Sequence, residues 1–366
     1  MVFNKCISLR NLLAISVIIF VSACTDYKDD IPLFESYISE NINKISDDPY
    51  ISSTYKPGEP LFMFLSQMQR NRADFRLLEL LIEQGDTDAM VWWSMINVGN
   101  IELRNLVLER FYRAMSAGNP YAALQLSDAG EACQWLGQRS LSSRAAIDIG
   151  VKPKKEFKVC SKEYWDLAVE GFKKQADQGD LRAQYFLLFS VRPGQPKPKL
   201  ATMLREDYIN EIIRFSNQHY YKPLMDYVDS ILVWDSESKQ FESQNDDVYN
   251  LAVQLLTIAA NNNYLPAIYL LSVASDNRES MLEKGLKLGG VNSITHKLLD
   301  SKRPSDDRCF YNYLHKDVTG DFLVHREQLS PEQIIEIESK VNEFVKKTHY
   351  PIYIDALTPS AKWRDQ

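Results

Sequence analysis

The side chains able to do chemistry fall into three groups. Ser53-Thr54-Tyr55-Lys56 and Ser236-Glu237-Ser238-Lys239 both place a lysine three residues after a serine, a spacing at which the amine can take the hydroxyl proton and create a nucleophile. Neither is followed by the Ser-Asp-Asn or Lys-Thr-Gly elements that complete such a centre, and Lys347-Thr348-His349 lacks the glycine, so chance spacing is the preferred reading and a Ser-Lys hydrolase ranks last. His315, Asp317, Asp321 and His325 are close enough in sequence to meet at a metal. That stretch reads as loop and turn, with Lys316 and Arg326 intruding, and no metal or other cofactor is expected. Cys133 and Cys160 flank a basic stretch of Lys152, Lys154, Lys155 and Lys158. With Cys309 they allow three single disulfides, of which 133 to 160 closes the shortest loop. Three buried thiols acting as small apolar groups are the alternative. No His-Glu-x-x-His, Cys-x-x-Cys, P-loop, Gly-x-Ser-x-Gly or dinucleotide fingerprint occurs, so no catalytic residue is expected.

The elements that position these residues are helices. Hydrophobic residues make up 45% of the 366, enough for a packed core, and apolar positions recur at i, i+3, i+4, as in Phe75, Leu78, Leu81 and Ile82. Lys and Arg number 42 against 49 Asp and Glu, net charge -7, with no run of five or six basic residues. Nucleic acid is therefore not an expected partner.

The helices repeat. A glycine, then Asp or Asn, then alanine four positions after the glycine occurs at Gly85 with Ala89, Gly118 with Ala122 and Gly179 with Ala183, and Asn263 with Ala267 keeps the frame. His219 with Pro223 and Gly289 with Ser293 are degenerate copies. Gly or Asn ends a helix in the left-handed conformation. Asp86, Asn119 and Asp180 can then cap the next helix, with Pro120 in a first turn. The alanines are small because neighbouring helices pass closely there.

Residues 176 to 185, Ala-Asp-Gln-Gly-Asp-Leu-Arg-Ala-Gln-Tyr, with echoes at 82 to 91, 115 to 124 and 260 to 269, resemble the Sel-one-like repeat, a tetratricopeptide-like helix pair. The resemblance covers residues 60 to 300. It implies an all-α fold: an α/α solenoid of helix pairs, with residues 301 to 366 as a small C-terminal capping module. In that module Ser330-Pro331-Glu332-Gln333 reads as a capping box opening a helix with Ile334, Ile337, Val341 and Phe344 on one face. Tyr350, Ile352 and Ile354 alternate as in a short edge strand beside Pro351.

The N-terminus carries an address. Lys5 and Arg10 precede an apolar run from Leu12 to Val21, and Asn11 to Ala23 is shorter than the roughly 20 residues a spanning helix needs. Val21-Ser22-Ala23-Cys24 resembles the bacterial lipobox, which implies removal of residues 1 to 23 and acylation of Cys24. An ordinary secretory signal is the alternative. In such lipoproteins an aspartate after the cysteine is associated with inner-membrane retention; Thr25 implies an outer-membrane lipoprotein facing the periplasm, attached to the bilayer through acylated Cys24. Loss of the leader removes two bases and no acid, so the mature chain is more acidic still. Residues 24 to 59 read as a tether and N-terminal segment, with Asp26-Tyr27-Lys28-Asp29-Asp30 solvated.

Stacked helix pairs present an extended surface for another protein. The expected function is a membrane-anchored periplasmic protein-binding scaffold, an envelope adaptor. The alternative implied by the family is an immunity protein neutralising a type VI secretion phospholipase, with a secreted lipase effector as its partner.

Overall fold

In a computed structural model the described residues are 27–46, 55, 57–151, 157–189, 203–238, 240–300, 302–324 and 329–353. Cys24, Ser53, Thr54, Lys56, Lys239 and His325 lie outside them. Among the described residues the chain is all-α apart from one hairpin. A 3-10 turn, Tyr27–Asp30, leads into α1 (Ile31–Asn41); α2 (Phe62–Met68), α3 (Phe75–Glu83), α4 (Thr87–Ile96), α5 (Arg104–Ser116) and α6 (Pro120–Leu126) follow. Next come α7 (Glu131–Leu136), α8 (Leu141–Asp148), α9 (Lys162–Asp177), α10 (Leu181–Phe189), α11 (Arg205–Ser216) and α12 (Lys222–Ile231). Strands β1 (Val233–Asp235) and β2 (Gln240–Glu242) pair antiparallel, and then α13 (Asp246–Asn261), α14 (Leu265–Ala274), α15 (Arg278–Lys287), α16 (Val291–Leu299), α17 (Ser305–Thr319) and α18 (Pro331–Lys346) complete the order.

Successive helices pack on one another because local turn chemistry reverses the chain the same way each time. Gly85, Gly118, Gly179, His219, Asn263 and Gly289 all have positive φ, between 59° and 93°. At each, the N–H groups of the turn satisfy the orphan carbonyls of the preceding helix: Gly118 donates to Met115 and Asn119 to Ala114, and Asn263 donates to Ala260 and Tyr264 to Ala259. Asp86 accepts from the Ala89 N–H and Asp180 from those of Arg182 and Ala183, starting the next helix. Ala89, Ala122, Ala183 and Ala267 are fully buried.

Asn119 does more than cap. Its Oδ1 accepts from the Tyr121 and Ala122 N–H groups, while its Nδ2 donates to Thr87 Oγ1 at 3.1 Å and Asp88 Oδ1 at 2.6 Å, tying one turn to the preceding one. Asn119→Ala is expected to cost about 2 kcal/mol, the upper end for a cap, because half-buried Asp88 also loses a donor. A urea midpoint unchanged within error would refute the coupling.

The long interval between the Gly118 and Gly179 turns is an excursion. α6 packs directly on α9, and α7 and α8 loop out between them. The excursion closes at its base, where the Cys160 N–H donates to Leu126 O and Cys133 is bonded to Cys160, with Cα atoms 4.9 Å apart. Cys309 is a buried residue outside that bond.

Three cores divide the chain. The first lies under α2 to α7 with α9 and α10, the second joins α1 to α11 through α14, and the third holds α15 to α18. Tyr185, Phe215 and Tyr220 connect the first to the second.

Three expectations need correction. Residues 27 to 30 are not a solvated tether: Asp30 is fully buried, and its partners Arg205 and Tyr227 hold it there. The stretch around His315 is not loop, since α17 runs to Thr319 before Gly320 ends it in the left-handed conformation. Residues 351–353 form no strand. Pro351 has no N–H to donate, and the segment is held instead by one side-chain amide: Gln69 Nε2 donates to Pro351 O at 2.6 Å, and Gln69 Oε1 accepts from the Tyr353 N–H at 3.3 Å. Ile352 is thereby buried in the first core. The C-terminal segment thus packs beyond the last pair and returns to the first.

Candidate functional site

A cleft lies at the turn between α2 and α3. α2 ends at Met68, and beyond Asn71, whose φ is 58°, the chain reverses into α3 through Arg72-Ala73-Asp74. Asp74 caps α3 by accepting from the Arg76 N–H at 3.0 Å, and its own N–H donates to Gln67 Oε1 at 3.1 Å. Gln67, Arg70, Arg72, Ala73, Asp74 and Arg76 line a cavity of about 430 Å³ against this turn.

The three arginines are differently occupied. Arg76 closes bidentately on Asp74, Nε to Oδ1 at 2.9 Å and Nη2 to Oδ2 at 2.8 Å, which holds the Asp74 carboxyl below its ordinary range. Arg70 donates from Nε to Ser66 O at 2.7 Å and lies 3.9 Å above the Tyr350 ring. Arg72 Nη1 donates to the carbonyl of Asp317, near the end of α17. Among the described residues, no carboxylate forms an ion pair with Arg70 or Arg72. Burial lowers the Arg70 pKa, and the like charge of Arg72 works in the same direction. An anion in the cleft would relieve both effects, and guanidinium forks match carboxylate and phosphate oxygens. Phe75, between Asp74 and Arg76 in sequence, is about half exposed, as are Leu80 further along α3 and Met63 on α2. The site therefore offers positive charge and apolar contact together.

The sequence-nominated residues lie elsewhere. Gly85, Gly118, Gly179 and Asn263 form turns, and their partner alanines are core. Cys133 and Cys160 sit at the base of the excursion. Ser236 and Ser238 fall in the hairpin turn, where Asp235 accepts from the Glu237 and Ser238 N–H groups. His315 is buried, with Nδ1 2.8 Å from Asp321 O, and among the described residues no three His, Cys, Asp or Glu side chains gather to hold a metal. The arginine cleft escaped sequence reasoning because its charges are spread over a turn rather than in a run. The spacing Arg70, Arg72, Arg76 beside a helix-capping Asp74 is the signal that was present. No protein-family model, curated protein or solved structure matches the chain.

Proposed function

We propose that the chain is a protein-binding scaffold of the cell envelope: an α/α solenoid of Sel-one-like helix pairs, anchored through acylated Cys24 and acting as an adaptor. The observation that supports this reading best is the cleft, where Arg70 and Arg72 form no ion pair among the described residues and Phe75, next to Asp74 in sequence, is exposed, with Leu80 exposed on the same helix. An acidic segment carrying an apolar anchor is the partner such a surface suits, and burial of the anchor beside paired charges is how a few residues dominate an interface.

A photo-crosslinking amino acid at Leu80 is expected to give a discrete protein adduct in cells, absent when the same group replaces exposed Ile335. Arg70→Gln combined with Arg72→Gln should reduce the adduct about tenfold or more, the effect of losing charge-assisted hydrogen bonds. No adduct at Leu80 above the Ile335 control would overturn the assignment. Co-expression with a secreted lipase effector, should one be encoded beside this chain, separates two roles: protection from killing identifies immunity, whereas an adduct without protection identifies an adaptor.

A further inference from the structure

The chain is seated on its second core from the 3-10 turn onward. The Tyr27 N–H donates to Gln244 Oε1 at 3.2 Å, and the Tyr27 ring stands edge-on to Tyr227 with centroids 6.4 Å apart. Lys28 Nζ lies 2.8 Å from Asp247 Oδ2 at the start of α13, and Asp30 is fully buried with Arg205 and Tyr227. Thr25 and Asp26 are therefore all that stands between Cys24 and the folded body. Three Cα–Cα steps reach at most about 11 Å. A long flexible leash leaves a body free to turn over a membrane, and a reach this short does not. With acyl chains on Cys24, the end of the molecule that carries Tyr27 faces the bilayer.

That end is the hairpin and its base. Gln244 lies two residues beyond β2, and Ser243 Oγ donates to Ile231 O at 2.7 Å, closing the ribbon onto α12. Trp234 pairs with Phe241 across the ribbon, their rings 5.1 Å apart, and Phe241, like Tyr27, packs against the second core. Trp234 is nevertheless 47% exposed, and Val233, on the other face of the ribbon, is 61% exposed. An indole, apolar in body with one N–H, settles at the level of lipid headgroups. Charge sets the lipid chemistry. Among the described residues this end carries Asp29, Asp235, Glu237, Glu242, Asp246 and Asp247, while Lys28 and Arg205 are each paired with a carboxylate. A negatively charged surface repels such an end, so a zwitterionic one fits it. Among the described residues no helix is long and apolar enough to cross a membrane, so the contact is superficial.

We propose that the end formed by Tyr27, the β1–β2 hairpin and the start of α13 rests on a zwitterionic phospholipid surface, with the Trp234 ring at the level of the headgroups. This orientation rests on the acylation of Cys24 and adds to it which end of the helical body the membrane covers.

The test uses the full lipid-modified chain, purified from membranes, its acylation verified by mass spectrometry, and reconstituted in phosphatidylcholine vesicles. An environment-sensitive fluorescent amino acid replaces Val233, leaving Trp234 in place, or, as control, Ile147, which is 60% exposed on α8. Spin-labelled headgroups should quench position 233 severalfold more than position 147. Inserting about 20 Gly and Ser residues between Asp26 and Tyr27, a leash of about 25 Å, should cut the quenching at 233 by about half or more. Exchanging part of the lipid for phosphatidylglycerol should lower it as well. Equal quenching at the two positions of the acylated protein overturns the orientation and leaves the anchor intact. So does quenching at 233 that the insertion leaves unchanged or that phosphatidylglycerol raises. A chain without acyl groups overturns the anchor itself, and the orientation with it.

Discussion

Arg205→Ala is expected to lower the unfolding free energy by about 3–5 kcal/mol, and Asp30→Ala by clearly less, although the two side chains form one ion pair. The asymmetry follows from where each charge is left. Asp30 is fully buried; Arg205 Nε donates to its Oδ1 at 2.6 Å, a second guanidinium nitrogen donates to Oδ2, and Tyr227 donates to Oδ2 at 2.6 Å. Without Arg205 the carboxylate stays buried with one neutral donor. Without Asp30 the guanidinium, whose side chain is 36% exposed, turns to water. Arg205 also spans the rings of Tyr27, Tyr208 and Tyr227 at 5.3 to 5.8 Å, so its loss loosens the seat of α1, where Phe34 is fully buried. Urea unfolding of the two variants and the double variant measures the difference, and amide exchange should rise across residues 31–41 in Arg205→Ala. Equal losses from the two single substitutions would refute this account.

That pair also marks where the sequence stops being legible. Tyr27-Lys28-Asp29-Asp30 reads as a solvated acidic stretch because the partner that draws Asp30 inside is 175 residues away. The helix-pair frame was legible for the opposite reason. Gly85, Gly118, Gly179, His219, Asn263 and Gly289 do their work within a few residues of themselves, so positive φ at all six, degenerate copies included, follows from local hydrogen-bond closure. Ser330 and Gln333 likewise form their capping box within one turn.

Where distant groups compete with local pattern, local pattern loses. Pro351 and Ile352 sit in an alternating stretch, yet Gln69, far up the chain, takes both backbone bonds that a neighbouring strand would have made. The stretch around His315 reads as loop and turn because Lys316, Asp317 and Asp321 obscure the helix, whose buried apolar face is Cys309, Tyr313, Leu314 and Val318. The short hairpin of Val233–Asp235 and Gln240–Glu242, with Trp234 opposite Phe241, is too brief for periodicity to register. The arginine cleft combines both difficulties: Asp74 and Arg76 are local, but Tyr350 and Asp317, which hold Arg70 and Arg72, arrive from the other end of the molecule.

Replacing Cys133 and Cys160 together by serine is expected to lower stability by about 3–4 kcal/mol, and to do so unevenly. The bond spans 27 residues, and freeing a loop of that size restores this much chain entropy to the unfolded state. In the native state the packing of α6 on α9 does not depend on the bond, nor does the parallel bridge of Ser127 with Ser161 that brings the two ends of the excursion together. What the bond holds beyond the buried Ala132 and Leu136 of α7 is α8, whose inward contacts are small and polar: Ser140 Oγ on Trp135 O at 2.7 Å and Ser143 Oγ on Gly137 O at 2.6 Å. Residues 137–149, with Ala146 as their buried apolar side chain, have little apolar burial to keep them docked once the cross-link is gone. Amide exchange in the double serine variant should therefore accelerate first across α8 and the turn before it, while α6, α9 and the buried face of α1 keep wild-type protection under native conditions. Uniform acceleration through all three cores, or none in the excursion, would show that the bond does not act where its position places it.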